Sequence, residues 1–135
     1  MEFVAQARLL GTVRRLIRRN AQSRLTRVIE KTQPVDIAHL LPRLSEHDAK
    51  LFLKVLSRDI ERAAEVFSNL EEDTAPELLP LMETDSLASI FTQLHSVDAA
   101  DLLRALPEAL ADEILKRMMG EEAADVEELL HYDPK

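Results

Sequence analysis

Apolar residues in this chain return at fixed intervals, and that return limits the fold more than any other feature. Leu44, Leu56, Leu70, Met82, Leu94, Leu106, Met118 and Leu130 are separated by 12 residues, then 14, then 12 five times. Four residues before each stands Leu40, Phe52, Val66, Leu78, Ile90, Leu102, Ile114 or Val126. Three before stands Leu41, Leu53, Phe67, Leu79, Phe91, Leu103, Leu115 or, as the exception, Glu127. Offsets of three and four place these side chains on one helical face. Seven before each end comes a mostly small residue, Ile37, Ala49, Ala63, Ala75, Leu87, Ala99, Ala111 or Ala123, where two helices can approach closely.

A unit of this length holds one helix of about eight or nine residues and a tight turn, and so short a helix is unstable in water by itself. The units must therefore stack. The expected fold is all-α, a right-handed superhelix (solenoid) of short helices with one or two longer helices ahead of it. A composition of 46% hydrophobic residues, only 4% aromatic, with two glycines agrees with helix over sheet.

Asp36, Asp48, Arg62, Thr74, Ser86, Asp98, Leu110 and Glu122 stand just ahead of the small-residue positions. The Asp, Ser and Thr members are expected as N-caps or first-turn acids. Pro42 and Pro80 fall two residues before a repeat end and are expected to kink the last turn, while Pro107 starts a turn. The two extra residues between Leu56 and Leu70 predict a longer loop around Ser57 to Asp59 and a change of direction there. Residues 1–33 form a basic amphipathic helical segment, with Phe3, Ala7, Leu10, Val13, Ile17, Ala21, Leu25 and Val28 at intervals of three or four. Residues 34–131 form the repeat domain, and residues 132–135, with Pro134, read as the start of a linker.

Charge is divided along the chain. Residues 1–31 carry eight Arg and Lys against two Glu, while the remainder carries nine against 23 acids, so +6 is followed by −14. The acidic body excludes nucleic acid as its partner and suits cationic protein surfaces or metal ions. Arg14, Arg15, Arg18 and Arg19 fit a cap on the first repeat, contact with an anionic membrane, or contact with the acidic body of another copy. Cysteine is absent, which excludes thiol chemistry. The four histidines never pair at helical metal spacing, and there is no Gly-rich phosphate loop or nucleophile elbow. No catalytic constellation is present, so the chain reads as a non-enzyme.

Acidic pairs such as Glu71 with Glu72, Asp98 with Asp101, and Glu127 with Glu128 belong by default to a solvated face. Mg²⁺ can nonetheless use such a face, because it keeps several waters and takes one or two carboxylates. Asp98 and Asp101 share one helix face, and Glu65 is expected near the start of another helix.

From Val35 to His131, the phrases VDIAHLLPRL, IERAAEVFSNL and SVDAADLLRAL resemble the intracellular N-terminal domain of MgtE-type Mg²⁺ channels. The closing HYDPK is similar to the passage that leads into the tandem CBS domains of that family. Residues 1–24 lie outside the resemblance. It implies a cytosolic domain of an inner or plasma membrane protein, without catalysis, whose partners are the CBS and transmembrane domains of the same chain, the full-length protein being a homodimer. It also implies Mg²⁺ held between acidic faces, with Glu65 and Asp101 matching ligand positions and Asp98 adjacent to them. Val97 stands where the family can have an acid. The N domain of that family is also similar in shape to the middle domain of the flagellar motor protein FliG, which implies an alternative role as a non-catalytic protein–protein adaptor.

Overall fold

The apolar columns produce helices of the expected face, with lengths from four to 12 residues. The computed structural model describes residues 2–118 and 120–131; the proposed linker at 132–135 lies outside the described residues. The helices are α1 (Glu2–Arg18), α2 (Gln22–Lys31), α3 (Pro34–Leu40), α4 (Glu46–Leu56), α5 (Ile60–Phe67), α6 (Ala75–Leu78), α7 (Thr84–Gln93), α8 (Ser96–Ala105), α9 (Glu108–Arg117) and α10 (Gly120–His131). Among the described residues there is no strand, and no helix is long and apolar enough to cross a membrane.

The main packing joins alternate helices. One row runs α1, α3, α5, α7, α9 and the other α2, α4, α6, α8, α10, each helix resting on the next of its own row. Two sequence repeats therefore make one structural layer. Every residue of the column that ends in Val126 is buried, and Ile90, Val66 and Ile114 are fully so. The small-residue column is buried from Ile37 through Ala99, which lets neighbouring backbones close up. Between α5 and α7 the rings of Phe67 and Phe91 meet edge to face, 6.1 Å apart at 79°. Such a pair adds about 0.5–1.5 kcal/mol to its area burial. Toward α10 the columns loosen: Leu115 and Leu130 are half-buried, and Glu127 is exposed.

Helix starts resolve the two roles expected of these residues, caps or first-turn acids. Asp36, Asp48 and Asp98 lie in first turns, not at caps, where they complement the helix dipole. The caps are mostly three residues earlier: Ser45 Oγ accepts from the Asp48 N–H at 3.2 Å and Asp59 Oδ1 from the Arg62 N–H at 3.1 Å. Thr74 does occupy an N-cap but makes no side-chain cap bond, and Ser86 lies within α7. Pro42 and Pro80 have no N–H to donate, so α3 and α6 tighten into 3-10 turns at Leu41–Arg43 and Leu79–Leu81. The extra residues after Leu56 form the turn Ser57–Arg58–Asp59, and the alternation of rows continues across it, α3 on α5 and α4 on α6.

The basic segment caps the stack. Helix α1 packs on α2, α3 and α4 through the buried Val13 and the half-buried Leu9, Leu10, Leu16 and Ile17, with Ala7 exposed. It closes at Asn20, whose φ of 56° lets Ala21 N–H reach Leu16 O at 2.9 Å and Asn20 N–H reach Ile17 O at 3.0 Å. Asn tolerates this left-handed closing position where most side chains do not. Arg14, Arg15, Arg18 and Arg19 stay on the solvent side, with Arg14 Nη2 donating to Arg43 O at 3.2 Å.

Arg62, the one cation in the column that runs from Asp36 to Glu122, has a specific task. Its guanidinium donates to the carbonyls of Ile29, Glu30 and Thr32, tying α5 to the end of α2. At the far end Arg117 donates to Asp85 at 2.6 Å and pairs with Glu113 at 3.5 Å, fastening α9 to α7. The hydrogen bond and charge of Asp85, aided by Glu113, hold the Arg117 guanidinium above its ordinary pKa.

Two substitutions separate these contributions. Phe91→Ala is expected to lower stability in urea unfolding by about 3–5 kcal/mol through cavity formation. Arg62→Leu, which strands the α2 carbonyls, is expected to cost about 1–3 kcal/mol; an unchanged unfolding midpoint would show that water replaces the guanidinium.

Candidate functional site

Burial of one face on every helix sends the acids to the opposite faces, and three of them were singled out by the sequence. Glu65 is exposed on α5, in its second half and not near its start. Its backbone carbonyl accepts from Ser68 Oγ and Asn69 Nδ2, both at 2.8 Å, which ends the helix while the carboxylate stays at the surface. Glu61 and Glu65, four residues apart, line a shallow hollow of about 210 Å³ whose far side is the α7–α8 turn at Gln93, Leu94 and His95. The sequence reading missed Glu61, although its spacing from Glu65 was a usable signal.

His95 begins α8, and Asp98 and Asp101 follow on that helix. Both are half-exposed. Asp101 is engaged: Arg104 Nη1 donates to its Oδ1 at 3.0 Å, and Arg104 Nη2 donates to Leu129 O at 2.6 Å. The side chain that balances Asp101 therefore also ties α8 to α10, a tether that no local pattern in the sequence displays. Val97, four residues before Asp101 on the same face, is 60% exposed.

Carboxylate oxygens are hard donors suited to Mg²⁺. Among the described residues, however, no three His, Asp or Glu side chains gather into a group that could hold a metal ion. Asp98 and Asp101 come together on one helix, and Glu65 belongs to the hollow beside the start of that helix; the three do not form a closed site. The donor set fits Mg²⁺ as an open, one-sided surface that offers one or two carboxylates and leaves other positions to water or a facing group.

Comparison with known proteins agrees with this architecture. The family model described as the MgtE intracellular N domain matches residues 32–135. A comparison with curated proteins finds no match. Among solved structures, the chain is similar to the soluble part of a magnesium transporter, with TM-score 0.84 and 21% identity, covering 96% of this chain and 50% of that one. It is also similar to the cytosolic domain of the Mg²⁺ channel MgtE in complex with ATP, with TM-score 0.79 and 24% identity, covering 92% of this chain and 50% of that one. The chain thus spans half the length of each, and the first likeness of fold reaches into α1 and α2, ahead of the family match.

Removing Asp101 and removing its partner are expected to differ. Asp101→Asn changes unfolding stability by less than about 1 kcal/mol, as for other exposed ion pairs. Arg104→Ala also removes the donor to Leu129 and is expected to speed amide exchange in α10, measured by mass spectrometry; equal exchange in both variants would refute the tether.

Proposed function

Because the chain belongs to the MgtE intracellular N-domain family, we propose that it is the cytosolic, non-catalytic, Mg²⁺-responsive part of a magnesium transporter, regulating transport by docking against a neighbouring CBS domain of the same protein. The observation that carries this reading is the open acidic surface on α5 and α8, where Glu65, Asp98 and Asp101 reach solvent without closing a metal site among the described residues. Bound Mg²⁺ would supply positive charge between surfaces that otherwise repel. Residues 32–135 carry net −14, so a second acidic surface is held off until that charge is neutralised.

The chain's own groups set the threshold. Arg104 already balances Asp101, so binding of a cation there exchanges one partner for another and the gain is small. An exposed pair is worth about 0–1 kcal/mol, whereas moving an equilibrium from about 1:99 to about 99:1 takes about 5.5 kcal/mol of differential binding. One exposed pair falls short, so several carboxylates must act together, and the response is steep only through their sum. Glu65 with Glu61 on α5, and Asp98 with Asp101 on α8, supply that plurality.

A second reading, a metal-independent adaptor, draws on the exposed Val97 beside these acids, because an apolar side chain there favours protein contact without an ion.

Limited proteolysis of the full-length protein in membranes, with and without millimolar Mg²⁺ at matched ionic strength, separates the two. The regulatory reading predicts protection after His131 by Mg²⁺, with a midpoint raised about threefold or more by Glu65→Gln or Asp101→Asn and lowered by Val97→Asp, each change being about 0.7 kcal/mol. Cleavage indifferent to Mg²⁺, or variants with the parent midpoint, would favour the adaptor.

A further inference from the structure

A groove of about 560 Å³ lies between α4 and the segment leading from the 3-10 turn Leu79–Leu81 into α7. Helix α4 presents Lys50 and Lys54 to it, four residues apart, and Arg58 adds a third cation from the turn that follows the helix. The helical rise sets the two lysines about 6 Å apart along the axis. Lys50 and Lys54 are exposed, and neither has an ion-pair partner among the described residues. Arg58 is steadied by Gln22, its Nη2 donating to Oε1 at 3.0 Å. From residue 32 onward acids outnumber bases 23 to nine, so cations left unpaired together on one wall are contrary to the composition around them.

Leu51, Leu81 and Met82 give the groove an apolar wall, and His47, Ser57, Glu83 and Ser86 complete its lining. Leu51 is half-buried yet lies outside the packed core, and Leu81 and Met82 are half-buried against the core's edge. A cationic stripe beside an apolar wall, in a volume within the range of small-molecule sites, has a definite chemical complement. We propose that this groove binds a small organic polyanion, its negative groups along Lys50, Lys54 and Arg58 and its apolar body against Leu51, Leu81 and Met82. Glu83, on the α7 side, repels anionic groups and so keeps the charged end on α4. The net charge of −8 works against indiscriminate anion binding elsewhere, which makes a saturable local site distinguishable. None of these residues belongs to the hollow at Glu65, so the inference stands apart from the Mg²⁺ reading.

The test is equilibrium titration of the whole chain at physiological salt with two probes, pyranine, a flat aromatic trisulfonate, and inorganic tripolyphosphate, which has charge without an apolar body. Saturable pyranine binding is expected, weakened about tenfold or more in the double variant Lys50→Gln/Lys54→Gln, since contacts to charged groups are strong enough for that loss. Leu51→Ser is expected to weaken pyranine and leave tripolyphosphate unchanged. Equal weakening by Arg24→Gln/Arg27→Gln, on α2 outside the groove, would reduce the binding to general charge and overturn the proposal. So would undiminished pyranine affinity in the Lys50/Lys54 variant, or tripolyphosphate binding as tightly as pyranine.

Discussion

Everything in this structure depends on the contact of each helix with the next but one. Helices of about ten residues are marginal alone, and Ile90, Leu102 and Ile114 become stable only because their faces close against neighbours in the stack. The described side chains include no buried polar or charged residue, so the interior contributes cohesion and no chemistry. Function is thereby pushed outward, to the faces that the columns leave free.

Those faces are not uniform. Cations gather on α1 and α2, α4 is balanced, and acids prevail from α5 onward, so the stack carries opposite charge toward its two ends. Polar contacts between helices use the cations as ties: Arg62 reaches α2, Arg104 reaches α10, and Arg117 reaches α7. The carboxylates of Glu61 and Glu65 are left at the surface without such a tie among the described residues. An acidic surface on a rigid scaffold is poorly suited to enclosing an ion and well suited to sharing one.

Much of the fold was legible because helical period is written into the order of apolar residues. The column from Leu40 to Val126 is buried throughout, as its spacing requires. Which helix each face meets was not legible, since a stripe says that a helix is covered and not by what. Cap positions stayed open for a related reason: Asp36 and Asp48 suit either a cap or a first turn, and only the preceding Ser45 decides the matter for Asp48. The task of Arg62 was not legible, because the carbonyls it serves lie about thirty residues earlier, at the end of another helix. At the candidate site, Glu65, Asp98 and Asp101 could be named from the chain, while the engagement of Asp101 with Arg104 and α10 required the stack itself.

The claim that this scaffold offers one side of a shared, ion-dependent contact is tested most directly by a distance. Spin labels on exposed positions of α8 and of the following domain in the full-length protein, measured by double electron–electron resonance across a Mg²⁺ titration at constant ionic strength, report whether the two surfaces approach. The account predicts a shift from a broad, long distribution to a short, narrow one as Mg²⁺ rises, lost on combined Glu65→Gln and Asp101→Asn substitution. A distribution that is the same with and without Mg²⁺ would contradict it.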